Sequence, residues 1–229
     1  MKTLGLLGGM SWESTQTYYR LLNQQVAQRL GGLHSAKVIL DSLDFADVEV
    51  LQRAGQWDAL ADLLVKHALR VEAAGADGLI IGTNTMHRVA PKVEAALSIP
   101  LLHIADATAQ ALLEDGVQTV GLLGTRFTME QAFYRERLEA QGITVLVPND
   151  AQREEVHRII YQELCRGVLD NNSRAAYLDV VEDLHRRGVG GVILGCTEIG
   201  LLINQHDTTV ALYDTTFLHA KNGVEWALT

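Results

Sequence analysis

The chain has 229 residues, 48% of them hydrophobic, with 20 glycines but only three prolines, enough for a sizeable core in one large domain or two small halves. Its 19 Lys and Arg against 28 Asp and Glu give a formal charge of −9, which argues against nucleic acid as the main partner, because phosphate neutralisation needs a basic face. Two cysteines, Cys165 and Cys196, are too few for a disulfide framework; no apolar run approaches the roughly 20 residues of a membrane span, and the N-terminus is apolar too briefly for a secretory signal, so the expectation is a soluble, cytoplasmic, compact protein.

In chain order, short apolar runs at 4–7, 37–40, 79–81, 100–103, 120–123, 144–147, 192–194 and 210–213 read as strands. Being apolar on both faces, they suit a parallel sheet covered by helices. Longer helical patterns lie between them. Leu60, Leu63, Leu64, His67, Ala68 and Val71 form one apolar stripe. Asp62 and Lys66 on its other face are an i,i+4 pair in the favourable order, and Gly75 ends that helix. Thr128-Met129-Glu130-Gln131 has the capping-box pattern and opens a helix that closes near Gly142. Cys165, in the helical run 156–167, reads as a small buried hydrophobe. Strand–helix alternation predicts an α/β fold with parallel sheets.

The chain also repeats itself. Thr3-Leu4-Gly5-Leu6-Leu7-Gly8 matches Thr119-Val120-Gly121-Leu122-Leu123-Gly124, 116 positions on. The segment 75–85 matches 188–198, 113 positions on. Two matches in the same order predict two equivalent α/β halves related by a pseudo-twofold axis. The turn signal Asp115-Gly116 divides them into 1–115 and 116–229, with the C-terminal helix free to cross back to the first half.

In open α/β sheets, ligands bind beyond the carboxyl ends of the strands. Gly9-Met10-Ser11, Thr83-Asn84-Thr85, Thr125-Arg126-Phe127-Thr128 and Cys196-Thr197-Glu198 fall there. Thr83 and Cys196 occupy equivalent places, each between a strand and a helix start. Free N–H groups and a positive helix end would make a carboxylate site and would lower the Cys196 pKa. Gly82 and Gly195 would let the backbone approach a ligand. Thr85, Thr128 and Thr197 also suit plain N-caps, and Glu198 suits either an ammonium group or a first helical turn. Gly8-Gly9 lacks both phosphate-loop spacings, and His34, His67, His157, His185 and His206 have no ligand spacing, so no metal site is expected.

Thr83-Asn84-Thr85-Met86-His87 and Gly195-Cys196-Thr197-Glu198 resemble the paired Cys-Asn-Thr-x-His and Gly-Cys-Thr-Glu motifs of the aspartate/glutamate racemases. Residues 5–11 and 122–128 are also similar to that family, and the resemblance covers essentially the whole chain. It implies two pseudo-symmetric α/β halves with the active site in the cleft between them, no pyridoxal phosphate or other cofactor, and a homodimer. It further implies an acidic amino acid as substrate, with one acid/base on each face of the α-carbon. The catalytic pair would be Thr83 and Cys196. The resemblance suggests Met10, Gln52, Thr83, Asn84, Thr85, Thr128, Thr197 and Glu198 for substrate binding, with backbone N–H groups of Thr83 to Thr85 and of Thr197 on carboxylate. Arg53 and Arg126 are candidates for the distal carboxylate.

The chain departs from that pattern at Thr83, where the family has its first cysteine. A hydroxyl is a far poorer base than a thiol near neutral pH. The expectation is therefore one-sided activity on L-Asp or L-Glu, with Cys196 as base, Thr83 as donor or relay aided by His87 or water, and a weak reaction from the D-isomer. Three alternatives stand beside it: an acidic-amino-acid binding protein without catalysis, an isomerase of the same superfold acting on another dicarboxylate such as maleate, and a nucleotide-binding domain.

Overall fold

The computed structural model describes all residues, Met1–Thr229, and the chain forms two compact units. The first comprises Met1–Ile104 and Thr216–Thr229. Its elements are β1 (Leu4–Gly8), α1 (Trp12–Leu30), β2 (Val38–Ser42), α2 (Phe45–Arg53), α3 (Trp57–Ala73), β3 (Gly78–Ile81), a 3-10 turn (Thr85–Val89), α4 (Ala90–Ala96) and β4 (Leu101–Leu102). The second comprises Ala105–Thr215. It holds most of α5 (Ile104–Glu114), then β5 (Thr119–Gly124), α6 (Arg126–Glu130), α7 (Ala132–Glu139), β6 (Thr144–Leu146), α8 (Asp150–Gln162), a 3-10 turn (Leu164–Arg166), α9 (Asn171–Arg186), β7 (Gly191–Gly195), α10 (Ile199–Leu202) and β8 (Ala211–Asp214). Helix α11 (Thr215–Leu228) then belongs almost wholly to the first unit. No helix is long and apolar enough to cross a membrane.

Each unit has one four-stranded parallel sheet, ordered β2-β1-β3-β4 in the first and β6-β5-β7-β8 in the second. Every expected strand is present, and the two orders are the same order twice. This is the repeat seen in three dimensions. Leu4 to Leu7 pair with Gly78 to Ile81, and Val120 to Leu123 pair with Gly191 to Leu194. The central strands β1, β3, β5 and β7 are buried almost throughout, as strands covered by helices on both faces must be.

The expected stripe on α3 is where packing puts it: Leu60, Leu64, Ala68 and Val71 are buried in one core with Leu7, Leu79 and Ile81. Asp62 pairs with Lys92 of α4 at 2.7 Å, not with Lys66. A neighbouring helix offers a partner that an isolated-helix rule does not contain. The capping box placed at Thr128 is also corrected. Thr125 caps α6, accepting from the Thr128 N–H, and Gln131 opens α7 without a side-chain cap. Thr128 lies inside α6 and is fully buried.

The division between units falls at Ile104/Ala105, one helix ahead of the Asp115-Gly116 turn. Helix α5 carries Thr108, which accepts from the Tyr134 hydroxyl at 3.1 Å, and Asp106, which takes two bonds from Arg137 at 2.6 and 2.7 Å. Helix α11 does the equivalent in the first unit. The Tyr18 hydroxyl donates to His219 Nδ1 at 2.8 Å, and His219 Nε2–H donates to the Leu102 carbonyl at 2.7 Å. Tyr18 and Tyr134 are 116 positions apart, and both are fully buried. Gly78 and Gly223 leave room for α11, because a Cβ at either would press into Trp226 or Ile80. Each unit therefore bonds a buried tyrosine, Tyr18 on α1 or Tyr134 on α7, to the helix at its boundary, α11 or α5.

Candidate functional site

In both sheets the strand order turns about the first strand, so the switch point lies at the carboxyl ends of β1 and β3, and of β5 and β7. In the first unit β1 leaves its sheet through Gly9. Its φ is +84°, and a Cβ there would strike the Leu43 backbone, so only glycine fits. The Gly9 N–H donates to Thr15 Oγ1 at 2.7 Å, and the Thr15 hydroxyl donates to the Ser11 carbonyl at 2.8 Å. Ser11 caps α1, and the Ser14 hydroxyl reaches across to the Gly82 carbonyl at 3.0 Å. These bonds tie the end of β1 to the end of β3. Sequence reasoning missed Ser14 and Thr15, which look like ordinary polar residues of a first helical turn. The Met10–Ser11 peptide is cis. Met10 is buried in the α3 core, and Gln52 is buried on α2.

Thr83 is half-buried, while Asn84 and Thr85 are buried. The Thr83 N–H is committed to the Ile81 carbonyl at 2.9 Å, so that donor is already in use. The segment continues as a five-residue 3-10 turn with no side-chain cap from Asn84, not as a helix with an aligned dipole. His87 sets this loop. Its Nε2 accepts from the Ile104 N–H at 3.3 Å, so Nδ1 carries the proton and donates to the Thr83 carbonyl at 2.8 Å. The imidazole is neutral and fully buried. It reaches the Thr83 carbonyl, not the hydroxyl, and both ring nitrogens are spent on backbone. The next ring, His103, stands at 4.5 Å. Arg88 stacks on Trp57 at 4.0 Å, and burial draws its pKa down. Arg53 is paired with Glu49 on α2.

In the second unit Thr125 and Thr128 bond to one another at 3.2 Å. The Thr128 side chain fills the space beside Gly124 and Gly195. Arg126 is exposed, and its N–H goes to His157 Nδ1 at 3.2 Å. Gly195 and Gly82 share a packing reason for being glycine. A Cβ on Gly195 would sit 2.7 Å from the Leu123 carbonyl oxygen, and one on Gly82 would sit 3.0 Å from that of Leu7. Both therefore clear the neighbouring strand, at equivalent places in the two sheets.

Beyond Gly195 the chain presents Cys196, Thr197 and Glu198. Cys196 and Thr197 are half-buried and Glu198 is buried. The Cys196 thiol donates to Glu198 Oε2 at 2.9 Å, and the Thr197 hydroxyl donates to the same oxygen at 2.6 Å. Burial, and then the Glu198 carboxylate, push the thiol pKa well above its ordinary value, with Cys165 nearby adding to the effect. The expected lowering is thus reversed. Helix α10 has only four residues and no side-chain cap, so its dipole is too small to offset a carboxylate in contact. Cys165 lies in the 3-10 turn after α8 and packs with Cys196 against one apolar cluster.

The profile of the Asp/Glu/hydantoin racemase family matches residues 7–222 of this chain. A crystal structure described as a candidate Asp/Glu racemase from Yersinia pestis is 54% identical, covers 100% of both chains and superposes with a TM-score of 0.95. An aspartate racemase homologue from Pyrococcus horikoshii OT3 is 35% identical over 100% of both chains, with a TM-score of 0.88. The broad specificity amino-acid racemase RacX of Bacillus subtilis (strain 168) is 23% identical over 96% of each chain. The chain belongs to the Asp/Glu/hydantoin racemase family.

Proposed function

We propose that this protein is a cofactor-independent racemase of acidic amino acids in which Cys196 is the base facing the L-isomer. The observation that carries this reading is the Cys196 thiol bonded at 2.9 Å to a buried carboxylate, at the carboxyl end of a central strand. It is supported by family membership and by relatives described as an aspartate racemase homologue and a broad specificity amino-acid racemase. In the reaction the Cα–H bond breaks, the proton goes to Sγ, and the electron pair delocalises into the carboxylate. A proton delivered to the opposite face completes inversion, and in this reading Thr83 or a water beside it delivers that proton. Glu198 receives the substrate ammonium. The further candidates for substrate contact are Met10, Gln52, Asn84 and Thr85 in the first unit and Thr197 in the second, with Thr128 supporting the loop by packing beside Gly195.

A hydroxyl in place of a thiol makes the two faces unequal. L and D have equal free energy in water, so kcat/KM for inversion is the same in both directions. The inequality must therefore appear in solvent exchange without inversion. Cys196 lifts the L-isomer's proton, exchanges it and returns it, whereas the D-isomer waits on Thr83. The test incubates L-Asp, D-Asp, L-Glu and D-Glu separately in D2O without pyridoxal phosphate and follows the α-proton by NMR. Faster exchange of the L-isomers supports the reading. Binding of these amino acids without any exchange makes this a binding protein, and exchange of no acidic amino acid while a non-aminated dicarboxylate is isomerised makes it an isomerase of another class.

A further inference from the structure

We propose that Glu198 is a positioning residue that sets the protonation state of Cys196, holding the thiol proton in the empty protein and releasing sulfur as a base when its carboxylate is engaged by a cation. The inference rests on the reading above in calling Cys196 the base and in giving Glu198 the substrate ammonium. The geometry is direct. Glu198 is buried, and its Oε2 accepts from both the Cys196 thiol at 2.9 Å and the Thr197 hydroxyl at 2.6 Å. Ionisation breaks the S–H bond, leaves the electron pair on Sγ and passes the proton to water. In the empty protein that would place two negative charges in contact in an enclosed corner, where such charges repel far more strongly than in water.

The other groups around the sulfur do not relieve this. Cys165 adds to the cost, and Tyr177, itself buried and pushed upward, is a further acid. Glu155 and Glu163 act on Tyr177, and both are already paired with Arg158. Asp214 at the end of β8 stands against Gly200, two residues beyond Glu198. These neighbours are acidic, and an α-ammonium is the cation that an amino acid brings to them. An α-ammonium on Glu198 removes one of the two clashing charges, so an amino acid unlocks its own base and a dicarboxylate without nitrogen does not.

The test uses the full chain without ligand. Iodoacetamide alkylation of Cys196 is followed against pH by peptide mass spectrometry, with Cys165 as an internal control. Alkylation reads the sulfur without turnover, so a protein that fails to racemise still tests the inference. Glu198→Gln keeps an acceptor of the same shape without the charge. It is expected to alkylate Cys196 about tenfold faster at neutral pH, with the midpoint lower by about one unit and Cys165 unchanged. Thr197→Val deprives the carboxylate of a donor and strengthens its hold on the thiol, so its midpoint moves up. A Glu198→Gln profile that superimposes on the native one, or one in which both cysteines accelerate together, overturns the proposal. Should Glu198→Gln fail to fold by circular dichroism, Thr197→Val decides: an upward shift supports the proposal and any other result overturns it.

Discussion

The ends of β3 and β7 are the same place built twice, and they differ in what their first loop residue is coupled to. Gly82 and Gly195 clear the neighbouring strand in the same way, against Leu7 and Leu123. Beyond them the parallel stops. At β7 the side chain of Cys196 is bonded to a carboxylate, so its proton is under electrostatic control. At β3 the partner of Thr83 is His87, and the bond goes to the Thr83 backbone. The two copies keep one scaffold, with a thiol–carboxylate pair at the end of one strand and an imidazole–backbone bond at the end of the other. A titratable neighbour therefore says little until the atom it touches is known.

The largest expected effect breaks the comparison on the Cys196 side. Cys196→Ala removes the base and lowers L-Asp exchange about a thousandfold, the scale of a lost general base, with thermal stability near that of the native protein. His87→Ala tests the other side. It removes the ring that binds the Thr83 carbonyl and the Ile104 N–H, and should cost about 3 kcal/mol in chemical denaturation while leaving the pH profile of exchange in its place. A shifted profile would show that His87 handles a proton. The glycines sharpen the shared scaffold. Gly195→Ala should destabilise by about 2 kcal/mol, and Gly82→Ala by less, because its Cβ meets Leu7 at 3.0 Å against 2.7 Å for Leu123. The last effect is graded. With the thiol pKa raised in the free protein, the thiolate is the minor form at neutral pH, so exchange measured with L-Asp well below its KM should rise about tenfold for each pH unit below that pKa. A flat profile from pH 6 to 9 would count against a protonated resting thiol.

Much of the fold was legible because its signals are local. Runs such as Leu4 to Leu7 and Val192 to Leu194 are apolar on both faces, and that alone marks a buried parallel strand. The matched glycines exposed the duplication. The places of Thr83 and Cys196 at strand ends followed from the same pattern. What failed depended on where side chains turn. Thr128 fits a capping-box pattern as well as any threonine, but Thr125 three residues earlier takes the cap and Thr128 is packed beneath it. Asp62 had a good partner in Lys66 and a better one in Lys92, which only the packing of α4 supplies. The sign of the Cys196 pKa shift depends first on how deeply the fold buries the thiol and then on the Glu198 carboxylate turning onto it. Neither is written in the spacing of Cys196-Thr197-Glu198.

The inequality of the two ends is tested most directly by initial rates of deuterium wash-in at Cα, measured separately for L-Asp and D-Asp in native protein and in Thr83→Cys. The account predicts fast wash-in of L-Asp with retained configuration, slow wash-in of D-Asp, and a D-Asp rate raised about tenfold or more in Thr83→Cys, as expected when a thiol replaces a hydroxyl as base. Equal wash-in of L-Asp and D-Asp by the native protein, unchanged in Thr83→Cys, would contradict it.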